Sequence, residues 1–330
     1  MSTTTALATF AGSLLLSIVS GAVLGERIEQ LGTRLGFTEA FLGILTALGA
    51  DAPEISSAVT ALHRGQHDLG LAIVFGSSVF NLAAVLGLSA VVAGGVVIGR
   101  GALALNGGVA AALSATVAAQ LLGWLSPPIA AILIGAAFVP YVVLSALRPQ
   151  QVAALGLPFA VTEAVAEADR AARHDATPRH ATAIDVLTLA PSVVAIVVAS
   201  VWMVDAASLL GARWRVPPVL VGMVVIATMT SVPNVVSAIR LARRGRGSAV
   251  VSEAFTSNSL NLIAGVSIPA LAMTVIVATP VAQFAAVWLV VMSIVAIAIS
   301  YKCGLTRVGG AVLIVIYLAF LGAVIWARGS

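Results

Sequence analysis

Charged residues are scarce in this sequence. Asp, Glu, Lys and Arg make up 9% of its 330 residues, and 60% are hydrophobic; an ordinary soluble domain carries roughly 25% charged residues. With a mean hydropathy of +1.09, a soluble fold of this length cannot hide so much apolar surface, and the bilayer is the expected solvent. Cysteine is nearly absent. Cys303 stands alone, which excludes an intramolecular disulfide and a cysteine-based metal site. His63, His67, His174 and His180 show no metal-ligand spacing and read as surface residues. The first apolar run, residues 6–24, has neither a basic lead-in nor an obvious cleavage site, so it reads as a retained helix. The net charge of +4 does not indicate a nucleic-acid partner, because the basic residues sit in short gaps between apolar runs, as membrane-protein loops carry them.

Those runs are too long and too uniformly apolar for barrel strands. About 20 residues of helix cross the hydrocarbon, and the sequence divides into ten such spans: about 6–25, 38–62, 69–98, 102–123, 127–147, 183–204, 217–241, 249–278, 281–300 and 305–327. If the N-terminus faces outside, 13 of the 17 Lys and Arg residues fall in inward loops, among them Arg27, Arg100, Arg240, Arg246 and Arg307. The positive-inside rule then places both termini outside the cell membrane. Trp124, Trp202, Trp214 and Trp326 fall near outward ends, where indole favours the interface. Residues 148–182, with Glu163, Glu167, Asp169, Arg170, Arg173 and His174, read as a solvated cytoplasmic linker.

The two halves repeat each other. Pro53 pairs with Pro233, Arg64-Gly65 with Arg244-Gly245, Ser77 with Ser257, and Asn81-Leu82 with Asn261-Leu262, all at an offset of 180 residues. Chance matches would not share one offset across two pairs of helices. Five spans is an odd number, so the second half is expected upside down. The expected fold is therefore an all-α integral membrane protein of ten transmembrane helices, built as two inverted five-helix repeats: 1–147, and 183–330 beyond the linker. Such repeats place a substrate site near the midplane on interrupted helices. Pro53 and Pro233 supply candidate interruptions, since each leaves a backbone carbonyl one turn earlier without its donor.

Polar groups within the spans mark that site, because intramembrane carboxylates are costly. Asp51 and Glu54, three apart on the second span, share a face; their counterparts on the seventh are Ser231 and Asn234, preceded by Thr230. Ser77 and Asn81 share a face of the third span, as do Ser257 and Asn261 of the eighth. Carboxylate, amide, hydroxyl and carbonyl oxygens without Cys or His suit a hard cation. Glu253 extends the eighth-span line toward the cytoplasm and reads as an access-path residue. Asn106 is isolated on the fourth span and is expected to bond a neighbouring helix.

These residues resemble the calcium/cation antiporter superfamily, the sodium/calcium exchangers and their proton-coupled relatives. The family's repeats carry G-T-S-x-P-E followed by G-N-x-x-G-S-N-x-x-N. Here the first repeat reads G-A-D-A-P-E (49–54) and A-I-V-F-G-S-S-V-F-N (72–81), and the second M-T-S-V-P-N (229–234) and S-E-A-F-T-S-N-S-L-N (252–261). The resemblance implies ion ligands from Glu54, Ser77, Asn81, Thr230, Ser231, Ser257 and Asn261, joined by backbone carbonyls near Ala47 and Ala227. Three departures from the pattern bear on the charge of the site. The family's second glutamate is Asn234, its first Thr-Ser is Ala50-Asp51, and Glu253 replaces a common Asn. Gly43 to Pro53 spans 10 residues against 11 from Gly222 to Pro233, which predicts local overwinding or a bulge in the second span.

The expected function is secondary antiport by alternating access, with Ca²⁺ or another cation exchanged for Na⁺ or H⁺ and no resident cofactor. Its partners are the lipid bilayer and inorganic cations. Two other readings compete: a non-transporting relative that senses or scaffolds, and an intramembrane aspartyl-type protease using Asp51 and Glu54 as a dyad.

Overall fold

A computed structural model describes residues 1–157, 161–166, 183–272, 278–301 and 304–329. Of the residues singled out above, Glu167, Asp169, Arg170, Arg173, His174, His180 and Cys303 lie outside the described residues. The described chain is helical. Its long helices are α1 (Thr3–Arg34), α2 (Glu39–His63), α3 (His67–Ala93), α4 (Arg100–Leu121), α5 (Pro127–Ala146), α6 (Ala183–Trp214), α7 (Pro218–Arg243), α8 (247–272), α9 (Pro280–Ser300) and α10 (Arg307–Gly329). A short helix, Pro149–Ala154, opens the hydrophilic stretch, where the Gln151 Oε1 accepts from the Arg148 N–H at 2.8 Å.

Eight of the long helices are long and apolar enough to cross a membrane among the described residues. The other two, α2 and α8, fall short because they carry the polar residues. Their polar residues Asp51, Glu54, Ser257 and Asn261 are buried against neighbouring helices. The four tryptophans named above are all exposed on the perimeter.

Loop contacts sort the helix ends into two sets. At one end Thr38 donates its hydroxyl to the Ser145 carbonyl, Val96 and Leu305 exchange backbone bonds at 2.8 and 2.9 Å, and Gly99 N–H donates to Ser248 Oγ at 3.1 Å. At the other, Arg64 pairs with Asp205, Ser208 donates to Gln66, and Gln283 donates to the Leu121 carbonyl. Helices α2, α3 and α4 each run from one set to the other, so these successive helices alternate in direction.

Helices α1 and α6 are 32 residues each, about 48 Å at 1.5 Å per residue, against a hydrocarbon core of about 30 Å. Both outrun the spans expected from hydropathy. In α1 the charges at Glu26, Arg27, Glu29 and Arg34 end the apolar window without ending the helix, which continues past the apolar layer. The two pack against each other along their length, more extensively than any other pair.

The polar helices approach closely where glycine allows it. A Cβ on Gly49 of α2 would sit 2.8 Å from Gly25 Cα of α1, and one on Gly76 of α3 would sit 2.6 Å from Met223 Cα of α7. The second crossing seats the α3 residues Ser77 and Asn81 beside the opposite half.

Helix α2 is a single α-helix through Pro53, and the expected bulge in it does not occur. The extra residue is absorbed in α7, where Val221–Ile226 is a π-helical turn; a π-turn inserts one residue without breaking the helix. Two further π segments, Leu82–Leu88 and Ile263–Ser267, follow Asn81 and Asn261 at nearly the repeat offset. Gly65 and Gly245, at that same offset, both adopt left-handed backbone, with φ of +73° and +74°.

Candidate functional site

Four helices, α2, α3, α7 and α8, bring the polar residues of both halves together. Asp51 is 1% and Glu54 2% exposed, and Ser77, Asn81, Thr230, Ser231, Asn234, Ser257 and Asn261 are all buried. Two carboxylates so enclosed carry a desolvation cost of several kcal/mol each unless donors or a cation surround them.

The donors come from across the bundle. Ser231 hydroxyl donates to Glu54 Oε1, Asn261 Nδ2 donates to Glu54 Oε2 at 3.0 Å, and Asn234 Nδ2 donates to Asp51 Oδ1 at 2.9 Å. Asn81 Nδ2 donates to Ser257 Oγ at 3.0 Å, and Asn261 Nδ2 also reaches Ser77 Oγ at 3.4 Å. These bonds are reciprocal under the 180-residue offset. The Asn81–Ser257 bond maps onto Asn261–Ser77, and Glu54–Ser231 maps onto Asn234–Asp51.

After these bonds form, acceptor capacity remains. Asp51 Oδ2, Asn81 Oδ1 and Asn261 Oδ1 are buried and accept from no protein donor. When Asp51 is ionised, its oxygen and the two amide oxygens are acceptors only, and their natural complement is then a cation or its water. Among the described residues no cluster of three His, Cys, Asp or Glu side chains occurs. A cation here would meet at most two carboxylates, with neutral oxygens completing the shell.

Pro53 and Pro233 lack the N–H groups that would bond to the carbonyls of Gly49 and Met229, four residues earlier, and neither is the carbonyl the resemblance implied. Ala227 carbonyl instead accepts from Thr230 Oγ1 at 3.2 Å, and Ile226 carbonyl accepts from the same hydroxyl at 2.9 Å. Ala47 lines a cavity.

That cavity has a volume of about 460 Å³. It opens at the end of the bundle that holds Glu26, Glu29, Arg246 and Ser248, passes Glu253, and reaches Asp51, Thr230, Asn234 and Ser257. Glu54, Ser77, Asn81, Ser231 and Asn261 do not line it. The two carboxylates are equally buried, but Asp51 lines the cavity and Glu54 does not. Glu253 lies along the route and has a buried Oε2 with no donor, so it turns inward to the cavity. A second cavity, about 620 Å³, lies at the opposite end and is lined by Gln66, His67, Asp68 and Ser208. His67 is half-buried there.

Asn106 bonds neighbouring helices, as expected: its Oδ1 accepts from Tyr141 OH at 2.8 Å and from Ser252 Oγ at 3.4 Å, and Tyr141 OH also lies 3.0 Å from Thr256 Oγ1. This cluster ties α4 and α5 to α8 on the cavity wall. Asn258 Nδ2 donates to the Ser78 carbonyl at 3.1 Å, a further bond between halves. The pairing of Asn258 with Ser78 at the repeat offset was available as a signal, but the residue types differ there.

The profile of the family described as sodium/calcium exchanger protein matches residues 5–147 and 184–326. The chain belongs to that family. Membership makes it a multi-pass membrane protein of a transporter family. Among similar proteins, CaxA of Alkalimonas amylolytica is 29% identical over 85 residues, covering 26% of this chain and 27% of that protein. The sodium/potassium/calcium exchanger Nckx30C of Drosophila melanogaster is 29% identical over 143 residues, covering 41% of this chain and 16% of the other. The matches thus span less than a third of either relative. Among solved structures, an H⁺/Ca²⁺ exchanger CAX aligns with a TM-score of 0.75 at 16% identity over 96% of this chain and 81% of that one. The sodium-calcium exchanger NCX_Mj aligns at 0.63 and 17% identity over 97% and 99%. At these identities the structures establish a shared fold.

Proposed function

We propose that this exchanger-family chain is a secondary-active cation antiporter. It takes Ca²⁺, or another hard cation, in exchange for Na⁺ or H⁺ at the site between α2, α3, α7 and α8. The observation that carries this reading is the set of three buried, donor-free oxygens of Asp51, Asn81 and Asn261, on three helices from both halves, with Asp51 lining a cavity that Glu26, Glu29 and Arg246 also line. Alternating access needs such a site, reached from one side at a time. All ten long helices are read as spans, in two inverted halves; the reciprocal hydrogen bonds support this. The cavity mouth lies at the end bearing Arg246 and the loop before Arg100, so by the positive-inside rule it faces the cytoplasm, and both termini lie outside. The carboxylates take their donors from the other half and none from each other, which favours ion binding over a protease dyad.

The test is a proteoliposome flux screen of Ca²⁺, Mn²⁺, Mg²⁺, Na⁺ and K⁺ against Na⁺ and H⁺ gradients, with Glu54→Gln alongside. At least one cation is expected to exchange in the wild type and to stop in the variant. Uptake unchanged in Glu54→Gln refutes the site. Ion binding with no counter-flow by the wild type means a sensor or scaffold instead.

A further inference from the structure

The repeat places position 51 opposite 231 and position 54 opposite 234, and the structure bonds each 54-type residue to the 51-type residue of the other half. One crossing joins Glu54 to Ser231, with the carboxylate on the 54-type position and the donor on the 51-type position. The other joins Asn234 to Asp51 with the chemistry exchanged: the donor stands at the 54-type position and the carboxylate at the 51-type position. We propose that Asp51 is the second anionic ligand of the ion site, carrying across one hydrogen bond the charge that residue 234 lacks. This assignment rests on the cation-antiport reading and specifies its ligands.

Three observations support the exchange over a merely structural role for Asp51. Each crossing contains one carboxylate and one neutral donor, so the charge count at the two crossings is equal although the residues are not. The displacement is short, because Asn234 Nδ2 and Asp51 Oδ1 are 2.9 Å apart. A cation between the halves would therefore meet the second charge one hydrogen bond away from the Asn234 amide. An aspartate serving only to join helices would also be satisfied by donors on both oxygens. Asp51 Oδ2 is instead buried without a donor, on a residue that lines the cavity.

The consequence is a site symmetric in charge count but not in charge placement. Both carboxylates stand on α2, and Asp51 lines the cavity while Glu54 does not. With the carboxylate at position 234, the charge would sit on α7.

The swap is testable by moving the charge back. Full-length protein carrying Asp51→Ser, Asn234→Glu or both is purified, and equilibrium binding of radiolabelled Ca²⁺, Mn²⁺ and Na⁺ is measured together with Ca²⁺ flux. Asp51→Ser is expected to weaken binding by about 100-fold or more, the scale for removing one partner from a buried charged set. The double variant is expected to recover to within about tenfold of wild type. The isosteric Asp51→Asn covers the case in which Asp51→Ser does not fold, and it should lose binding to a similar degree. Wild-type binding by Asp51→Asn, or a double variant that stays monodisperse and binds no better than Asp51→Ser, overturns the proposal. Binding by the wild type without flux overturns the antiport reading and leaves the role of Asp51 to be judged on binding alone. Absence of binding for all three ions overturns both.

Discussion

Asn261 offers the most direct measure of how the neutral residues hold the buried carboxylate. Its Nδ2 is 3.0 Å from Glu54 Oε2 and 3.4 Å from Ser77 Oγ, and its Oδ1 has no donor. Asn261→Ala therefore removes a hydrogen bond to a charged group and a candidate ligand at once. A bond of that kind contributes about 1.5–3 kcal/mol, or about 10- to 150-fold in a binding constant. The half-saturating Ca²⁺ concentration for flux should rise by that factor. Equilibrium binding then separates the two contributions in a double-mutant cycle. With Glu54→Gln already present, Asn261→Ala should cost less by about 1 kcal/mol or more, because the charged acceptor is gone. An increase under about twofold, or the same increase in both backgrounds, refutes the idea that Asn261 acts on Glu54.

Two more tests address access and packing. With Cys303→Ser removing the chain's one cysteine, Ser252→Cys on the cavity wall should react with a membrane-impermeant thiol reagent added from the Arg246 side and resist it from the other. Ser77→Cys, which does not line the cavity, should resist it from either side; labelling of both from one side refutes this extent of the cavity. At the α3–α7 crossing, Gly76→Val pushes side-chain atoms onto Met223, where even a Cβ would lie 2.6 Å from backbone. It should destabilise the protein by about 1–3 kcal/mol, read as a lower unfolding temperature in detergent, and an unchanged melting curve contradicts the close approach.

Much of this fold was legible in the chain. The apolar runs located the long helices, and the matched residues of the two halves located the polar site. Hydropathy misjudged α1 and α6 because a helix does not end where its residues become charged; Glu26 and Arg34 extend α1 beyond the apolar layer. The mismatch between Gly43–Pro53 and Gly222–Pro233 revealed an extra residue but not its location. A π-turn and an overwound α-helix have the same consequence for residue count, and only the backbone placed it at Val221–Ile226. Asn106 looked isolated because its partners, Tyr141 and Ser252, lie 35 and 146 residues away.

By itself, then, the sequence determined the medium, the helical architecture and the residue types available to a cation, because composition and period are local properties of the chain. The tertiary structure decided which donor meets which carboxylate, that Asp51 lines the cavity while Glu54 does not, and that the charge of the second crossing lies on α2. Those are contacts between side chains some 180 positions apart. Their partners are set by how helices of the two halves pack, as where Gly76 meets Met223, which no local spacing encodes.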